Sequence, residues 1–545
     1  MNVVRHAGLA AALGALALSG GCAAVQANRH SPGTVTGGAF SPARPGAAQY
    51  GPNPALLCPT GGAFPILASD AAELAKDAKR AVPEPDGRLC ALADTLLGWN
   101  EPGGNPPESV TSFLAWHFGL TAAPARVLIA TIESEDPRII AQRLLDPVNS
   151  FGSTAAAPRF GATTMREKKG ATKTVVVFYD AMAELQPVPR RVEAGGQAAL
   201  QGRLAAGLSK PKVSVCEPSG ALESPPQADG AEIKADLQCG AKPGLLLVEI
   251  RAERNGEPVS AARFPIQCGA ELPASVAMPP HAPKDAAAMA GADRKLLELM
   301  NAERTGAGIP ALAWDPGVAG VAKAASEATR DESRTGSSSS TISFDVVGQL
   351  KKADVMSPLV LLNPAAARTP EEAHWRLAHS PLHRSNMLNP QATHAGVGVA
   401  NLTVPDAGTL YFVTQLMVRE QGAVDVEALR GKLREAVARK RADARAEPAK
   451  TDPTLEEVAQ KYAAAMAAGK GDLPKAQGDA IVAPLYKPFR NVSILGGAKS
   501  EPLEFAEEPG AVAPGKGIGV GVAQGSNAVL GKNAVYVVIL LGTRR

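Results

Sequence analysis

A helix start followed by a strand pair recurs three times in this 545-residue chain, and repetition on that scale limits the fold before any single residue is weighed. Gly396 to Ala400 reads GVGVA and leads to Leu410-Tyr411-Phe412-Val413-Thr414-Gln415; Gly519 to Ala523 reads GVGVA again and leads to Ala534-Val535-Tyr536-Val537-Val538. A fainter copy runs from Phe160-Gly161-Ala162 to Thr174-Val175-Val176-Val177-Phe178. Small or apolar residues in alternation, with a turn between, predict an antiparallel hairpin in each. Upstream, Asp315-Pro316 and Asp452-Pro453 each open an apolar helical run. Asp there serves as N-cap, and Pro takes the first helical position, where its missing N–H leaves no bond unmade. Asp86-Gly87 opens a third run with the Asp but without the Pro.

The length is too great for one core and suits three or four domains, so the class is α+β and multidomain. Residues 23–67 are rich in Gly, Pro and Ala without hydrophobic periodicity and predict a flexible tether. A first module occupies 68–187. From 188 to 270 the period becomes that of strands, with VSVC at 213–216, LLLVEIRAE at 245–253, a turn at Asn255-Gly256 and ARFPIQC at 262–268. This segment predicts a small all-β, Ig-like sandwich of the binding or spacer kind. A Pro/Ala linker near 273–290 precedes a second module at 292–420, and a third fills 425–545.

Lys plus Arg number 56 against 53 Asp plus Glu, a net of +3, so no strong field gathers nucleic acid. The basic stretch Arg430 to Arg445 carries Glu435 and Asp443 and reads as a solvated helix face. At the N-terminus, Arg5 and His6 precede an apolar run from Ala7 to Leu18 that is too short to cross a bilayer, and Ser19-Gly20-Gly21 lead into Cys22. Residues 1–22 therefore read as an export signal with a lipobox-like end. Cys22 resembles the lipid-accepting cysteine of bacterial lipoproteins, although Leu18 stands four residues before it rather than three; cleavage nearby to a soluble product is the other outcome. The expected location is the outer membrane or cell surface, or else the periplasm or medium, with membrane contact through that lipid alone.

Five cysteines remain, Cys58, Cys90, Cys216, Cys239 and Cys268, in a compartment where disulfides persist. An odd number leaves one thiol over. The expected arrangement is Cys58 with Cys90, and two of the last three within the β segment. Their spacings match no zinc pattern.

The second module carries a family resemblance. Asn301-Ala302-Glu303-Arg304, Trp314-Asp315-Pro316, Ser380-Pro381 with His383-Arg384 and Asn386, Gly396 to Val399, and Thr414-Gln415 occur in order over some 125 residues. This series resembles the bacterial branch of the CAP superfamily, which includes cysteine-rich secretory and plant pathogenesis-related proteins. The resemblance implies an α-β-α sandwich, with the third module and then the first as degenerate relatives. It also implies that His383, Arg384, Asn386, Thr414 and Gln415 are cleft or structural-motif residues. Members of that family ring a cleft with two His and two Glu able to hold a divalent metal. Here the strand position holds Phe412, the Gly-Glu-Asn segment reads Leu361-Leu362-Asn363-Pro364-Ala365, Ala378 stands for the second Glu, and the remaining loop is Ser337-Ser338-Ser339-Ser340. Zinc needs several N, S or carboxylate ligands converging at about 2 Å, so no metal and no other cofactor is expected.

Four of the eight histidines, His374, His379, His383 and His394, lie close in sequence. His379 and His383 have the spacing of two ligands on one helical face. However, Thr369-Pro370-Glu371-Glu372 opens one helix and Ser380-Pro381 a second, so His379 falls in the break. Ser380 and Ser385 lie near His383 without a Gly-x-Ser-x-Gly elbow. The expectation is therefore a non-catalytic envelope protein that binds a lipid or another envelope protein. The alternative is a cell-wall or protein hydrolase that uses the His374–His394 region.

Overall fold

The structure, a computed structural model, describes residues 30–100, 105–225, 230–278, 291–334, 344–404, 408–420, 422–499 and 501–545. Cys22 with the export signal, and Ser337 to Ser340, lie outside the described residues.

Three four-stranded sheets share one connectivity. In the first, the two-residue strand Glu84–Pro85 runs parallel to Pro158–Arg166, which forms a hairpin with Thr172–Asp180, which in turn pairs antiparallel with the edge strand Arg126–Ile132. The second repeats this order with Ala313–Trp314, His394–Val404, Gly408–Val418 and Val360–Ala367. The third does so with Lys450–Thr451, Gly517–Asn527, Gly531–Arg544 and Phe489–Ala498.

The contact that ties helix to hairpin is also repeated. The amides of Asp86, Asp315 and Asp452 donate to the carbonyls of Phe160, Ala395 and Ile518 at 3.0, 3.0 and 2.9 Å. Each of those carbonyls immediately precedes a glycine. A β-carbon on Gly161 would meet the backbone of Leu89 and Cys90, one on Gly396 that of Val318 and Ala319, and one on Gly519 that of Leu455 and Glu456. The helix after each Asp cap thus lies on the strand at a distance only glycine allows. The Asp side chains cap those helices, accepting from Arg88 at 2.9 Å, Val318 at 2.7 Å and Thr454 at 3.0 Å.

A buried arginine closes the second and third units. Arg304, in the helix Ala292–Gly306, donates to the carbonyls of Pro310, Met387, Asn389 and Ala392. Arg441, in Val426–Asp443, donates to those of Glu447, Ala511, Ala513 and Gly515. Each lies eleven residues before its Asp cap, and burial lowers the pKa of both. Ala75 occupies that place in the first unit: the amide of Arg80 donates to its carbonyl as Ile309 does to Arg304 and Ala446 to Arg441. Arg430 to Arg445 is therefore not simply a solvated face. Arg441 is 2% exposed, and Arg430 and Arg434 both pair with Glu456.

Between the first two units lie a five-stranded and a three-stranded sheet. The first contains Arg191–Val192, Glu257–Cys268, Gly244–Arg254, Leu208–Cys216 and Leu222–Glu223, and the second Glu232–Gln238, Gln197–Leu204 and Ala183–Leu185. One core that includes Leu200, Val213, Phe264 and Ile266 joins them. Cys239 is bonded to Cys268, Cys58 is bonded to Cys90, and Cys216 is a buried free thiol.

The tether expected over 23–67 is corrected for its described part. Thr34–Thr36 pairs with Ala39–Ser41, which pairs with Val276–Ala277 from the expected linker, and Gln49–Tyr50 pairs with Val188–Pro189. A helix already runs from Ala63 to Asp77. The segment has few large apolar residues, but Phe40 and Tyr50 are wholly buried and fix the chain without any periodic pattern.

Candidate functional site

In the second unit, alternation along Gly408–Val418 sends Thr414 to one face of the sheet and Gln415 to the other. Thr414 accepts a hydrogen bond from Ser326, in the helix Pro316–Arg334, at 2.9 Å. Gln415 faces the helices Pro370–Ala378 and Pro381–Met387. There its Nε2 donates to Nδ1 of His374 at 3.1 Å. Asn363 donates to the carbonyl of His383 at 2.8 Å and accepts from Asn386 at 3.0 Å. Its Nδ2 also lies 3.5 Å from Gln415 Oε1. Asn386, Asn363, Gln415 and His374 are thus one connected chain, with Asn363 and Gln415 fully buried. A satisfied polar chain of this kind fixes helix to sheet.

Because His374 accepts on Nδ1, it is the neutral Nε2–H tautomer. Burial pushes its pKa down to about 4, and Arg384 acts in the same direction against the attraction of Glu303. Arg384 bonds the Glu303 carboxylate at 2.8 Å and the Ala378 carbonyl at 3.3 Å. Burial alone would raise the pKa of Glu303, but the Arg384 charge and hydrogen bond hold it below the usual carboxylate value.

The other histidines have separate engagements. His379 caps the first helix, donates from Nδ1 to the Trp375 carbonyl at 2.9 Å, and stacks on the Trp375 ring with centroids 4.2 Å apart. His383 lies 3.1 Å from Ser380 Oγ. His394 lies 3.0 Å from Thr393 Oγ1 and 3.5 Å from Glu420. The region expected as a hydrolase centre is therefore divided. Glu303, Arg384, His374 and His379 share one neighbourhood, while His383 and His394 are bound elsewhere.

Phe412, at the family's strand-histidine position, is 3% exposed and lies in register with Ala366 and Ala400. Ala378 is 1% exposed. These side chains have no metal-binding atom, and the donor set does not fit a divalent ion. Among the described residues no three His, Cys, Asp or Glu side chains converge as a ligand set. Sequence reasoning gave Asn363 no role, although it stands in the segment where the family has Gly-Glu-Asn and is an amide inside the apolar run Leu361-Leu362-Asn363-Pro364. It also missed Glu303 as the partner of Arg384.

Residues 297–417 match the CAP, or cysteine-rich secretory protein, family. This segment is a CAP domain. Among solved structures, the chain is similar to an extracellular SCP-domain protein of Bacillus anthracis, with 21% identity, 33% of this chain and 66% of that one covered, and a TM-score of 0.22. It is also similar to an outer surface protein of Borrelia burgdorferi, at 17% identity over 23% of this chain and 92% of that one, TM-score 0.20. A cysteine-rich secretory protein of Staphylococcus aureus gives 14% identity over 47% and 85%, TM-score 0.19. At such TM-scores the likenesses carry no argument about function. No curated protein matches the chain.

The CAP domain docks on the first unit through the helix Glu108–His117. Glu108 pairs with Arg376, and its amide donates to Glu372. Trp116 stacks on Trp375 with centroids 5.7 Å apart and donates from Nε1 to the Arg263 carbonyl of the five-stranded sheet at 3.1 Å. Beside this junction, between the first unit and the three-stranded sheet, lies an open cleft of about 1160 Å³.

Proposed function

We propose that this chain is an exported, non-catalytic CAP-domain protein of the cell envelope, anchored by a lipid on Cys22, that binds a ligand or a partner protein. The reading draws on the export signal and on two disulfides, which persist in oxidising compartments. Its main support is the state of the CAP domain's candidate residues. His374 is occupied by Gln415, Arg384 by Glu303, and Asn386 by Asn363. A general base needs a free nitrogen or oxygen at a substrate, with a pKa near the working pH; His374 is buried and lies well below it. Binding would then fall to clefts such as that of about 1160 Å³ beside the first unit. In this reading the three sheet units are copies of one CAP-like module, and the two middle sheets are an Ig-like spacer.

The rival reading, a hydrolase, draws on Glu303 lying close enough to His374 and His379 to be felt by both. Native mass spectrometry of the protein purified from the envelope separates the two. A diacylglyceryl-modified N-terminus with a co-purified lipid or polypeptide is expected. Stoichiometric zinc, or cleavage of cell-wall or protein substrate lost in Glu303→Gln, would sink the binding reading.

A further inference from the structure

A row of alternating charges crosses the cleft. Arg88 is paired with Asp86 at 2.6 Å, Arg159 lies 4.0 Å from Asp86 and 3.3 Å from Glu184, and Arg203 lies 4.0 Å from Glu184. Asp86, Arg88 and Arg159 belong to the first unit, while Glu184 and Arg203 belong to the three-stranded sheet. The inner end is buried, with the Asp86 side chain 6% exposed, and the outer end stands in water, with Arg203 71% exposed. Glu232 and Lys234 continue the alternation on the neighbouring strand, both exposed. Pro52, Pro54, Pro85 and Pro187 contribute to the lining and have no N–H to donate. The strand Ala183–Leu185 is a sheet edge, paired among the described strands with Gln197–Leu204 alone.

We propose that this cleft holds an extended polypeptide segment of a partner protein, one that carries both acidic and basic side chains and lies along the Ala183–Leu185 edge. The inference rests on the binding reading above and names the ligand class for one site. A row of alternating sign repels a polyanion at every second position and a polycation at the others, so it selects a segment that alternates too. An extended peptide supplies the N–H donors that the proline positions lack, and a sheet edge is the usual template for one; along this edge Glu184 is exposed between the buried Ala183 and Leu185. The aromatic residue in the lining, Tyr179, is 3% exposed with its hydroxyl 3.1 Å from Thr121, so no ring face is offered to a planar ligand. The volume suits several residues of extended chain at about 3.3 Å each.

The test is calorimetric titration of the full mature chain with synthetic peptides of about twelve residues: a Lys-Thr-Glu-Thr repeat, a Glu-Thr repeat and a Lys-Thr repeat. The mixed-charge peptide is expected to saturate with a Kd on the order of 100 μM and the single-sign peptides at least about tenfold more weakly. Arg203→Glu, a change at an exposed side chain that leaves the fold intact, should weaken mixed-peptide binding about tenfold, and bound peptide should slow amide exchange in Ala183–Leu185. Absence of saturation by about 1 mM, equal binding of the Glu-Thr repeat, or indifference to Arg203→Glu would overturn the proposal. If the envelope-purified protein still holds a ligand while the peptides fail, the polypeptide class falls and the binding reading stands. If both fail, both fall.

Discussion

Gly396 lies directly under the backbone of Ala319: a β-carbon on Gly396 would come within 2.1 Å of the Ala319 amide nitrogen. Backbone cannot retreat as a flexible side chain can, so Gly396→Ala must push the helix Pro316–Arg334 off the sheet. The expected loss is about 3 kcal/mol or more, read as a lowered urea midpoint. Gly519→Ala, whose added carbon would fall 2.2 Å from the Leu455 carbonyl carbon, should act alike on the third unit. Gly320→Ala is the control. It sits inside the same helix with nothing within 4 Å of its added carbon, and should be neutral or stabilise by about 0.5–1 kcal/mol.

Arg304 and Arg441 should be as sensitive, for a different reason. Each guanidinium satisfies several buried carbonyls, and removing it leaves those acceptors without partners. Arg304→Met or Arg441→Met is expected to cost about 3 kcal/mol. Lysine should rescue little of this, because a single ammonium cannot reproduce the planar fork. Hydrogen exchange should localise the damage, with amides near Met387 to Ala392 affected in the first variant and those near Ala511 to Gly515 in the second.

The recurrence of these devices explains what could be read from the chain and what could not. Asp-Pro helix starts and the GVGVA hairpins are local signals, since cap chemistry and strand alternation act over a few residues, and they located the strands and helices that build the CAP domain. The Cys58–Cys90 bond was legible as well. The role of Arg304 was not, because three of its four carbonyl partners lie more than eighty residues away and none carries a side-chain signature. The Gly/Pro-rich segment before residue 67 misled for a related reason: two buried aromatic residues, Phe40 and Tyr50, hold it by tertiary contacts that leave no period behind. At the site, the cap at Ser380-Pro381 correctly separated His379 from His383, but nothing local showed that Asn363 would link Asn386 to Gln415.

Acidification should weaken the CAP domain before its carboxylates titrate. His374 falls from an ordinary 6.5 to about 4 in the fold, so between those values the unfolded chain binds the proton and the folded one does not. Stability therefore rises with pH across that window: the full contribution is present above about 6.5 and is lost as pH drops towards 4. The share of His374 is on the order of 3 kcal/mol, and His379, which burial also lowers to about 4, acts in the same direction. Urea unfolding at pH 7 and pH 5, followed by exchange of the amides in Pro370–Ala378, should show the loss. In His374→Gln, whose amide can still meet Gln415, the difference between the two pH values should shrink but not vanish, because burial lowers His379 to about 4 as well. Equal pH dependence in both proteins would mean that His374 does not contribute and that His379 carries the loss.

The junction of first unit, middle sheets and CAP domain should come apart through Trp116. Its ring stacks on Trp375, its Nε1–H reaches the Arg263 carbonyl, and it is 8% exposed, so one side chain contacts all three parts. The ion pair beside it, Glu108 with Arg376, has side chains 27% and 40% exposed, and water screens it accordingly. Trp116→Ala is therefore expected to loosen the docking much more than Glu108→Gln. In the Trp116 variant, amides of Glu108–His117 and Pro370–Ala378 should exchange at least about tenfold faster, while those of the three hairpins keep their protection because the sheets do not depend on the junction. Glu108→Gln should change exchange by less than about threefold. If the two substitutions were equal in effect, the ion pair and not the aromatic stack would be holding the CAP domain to its neighbours.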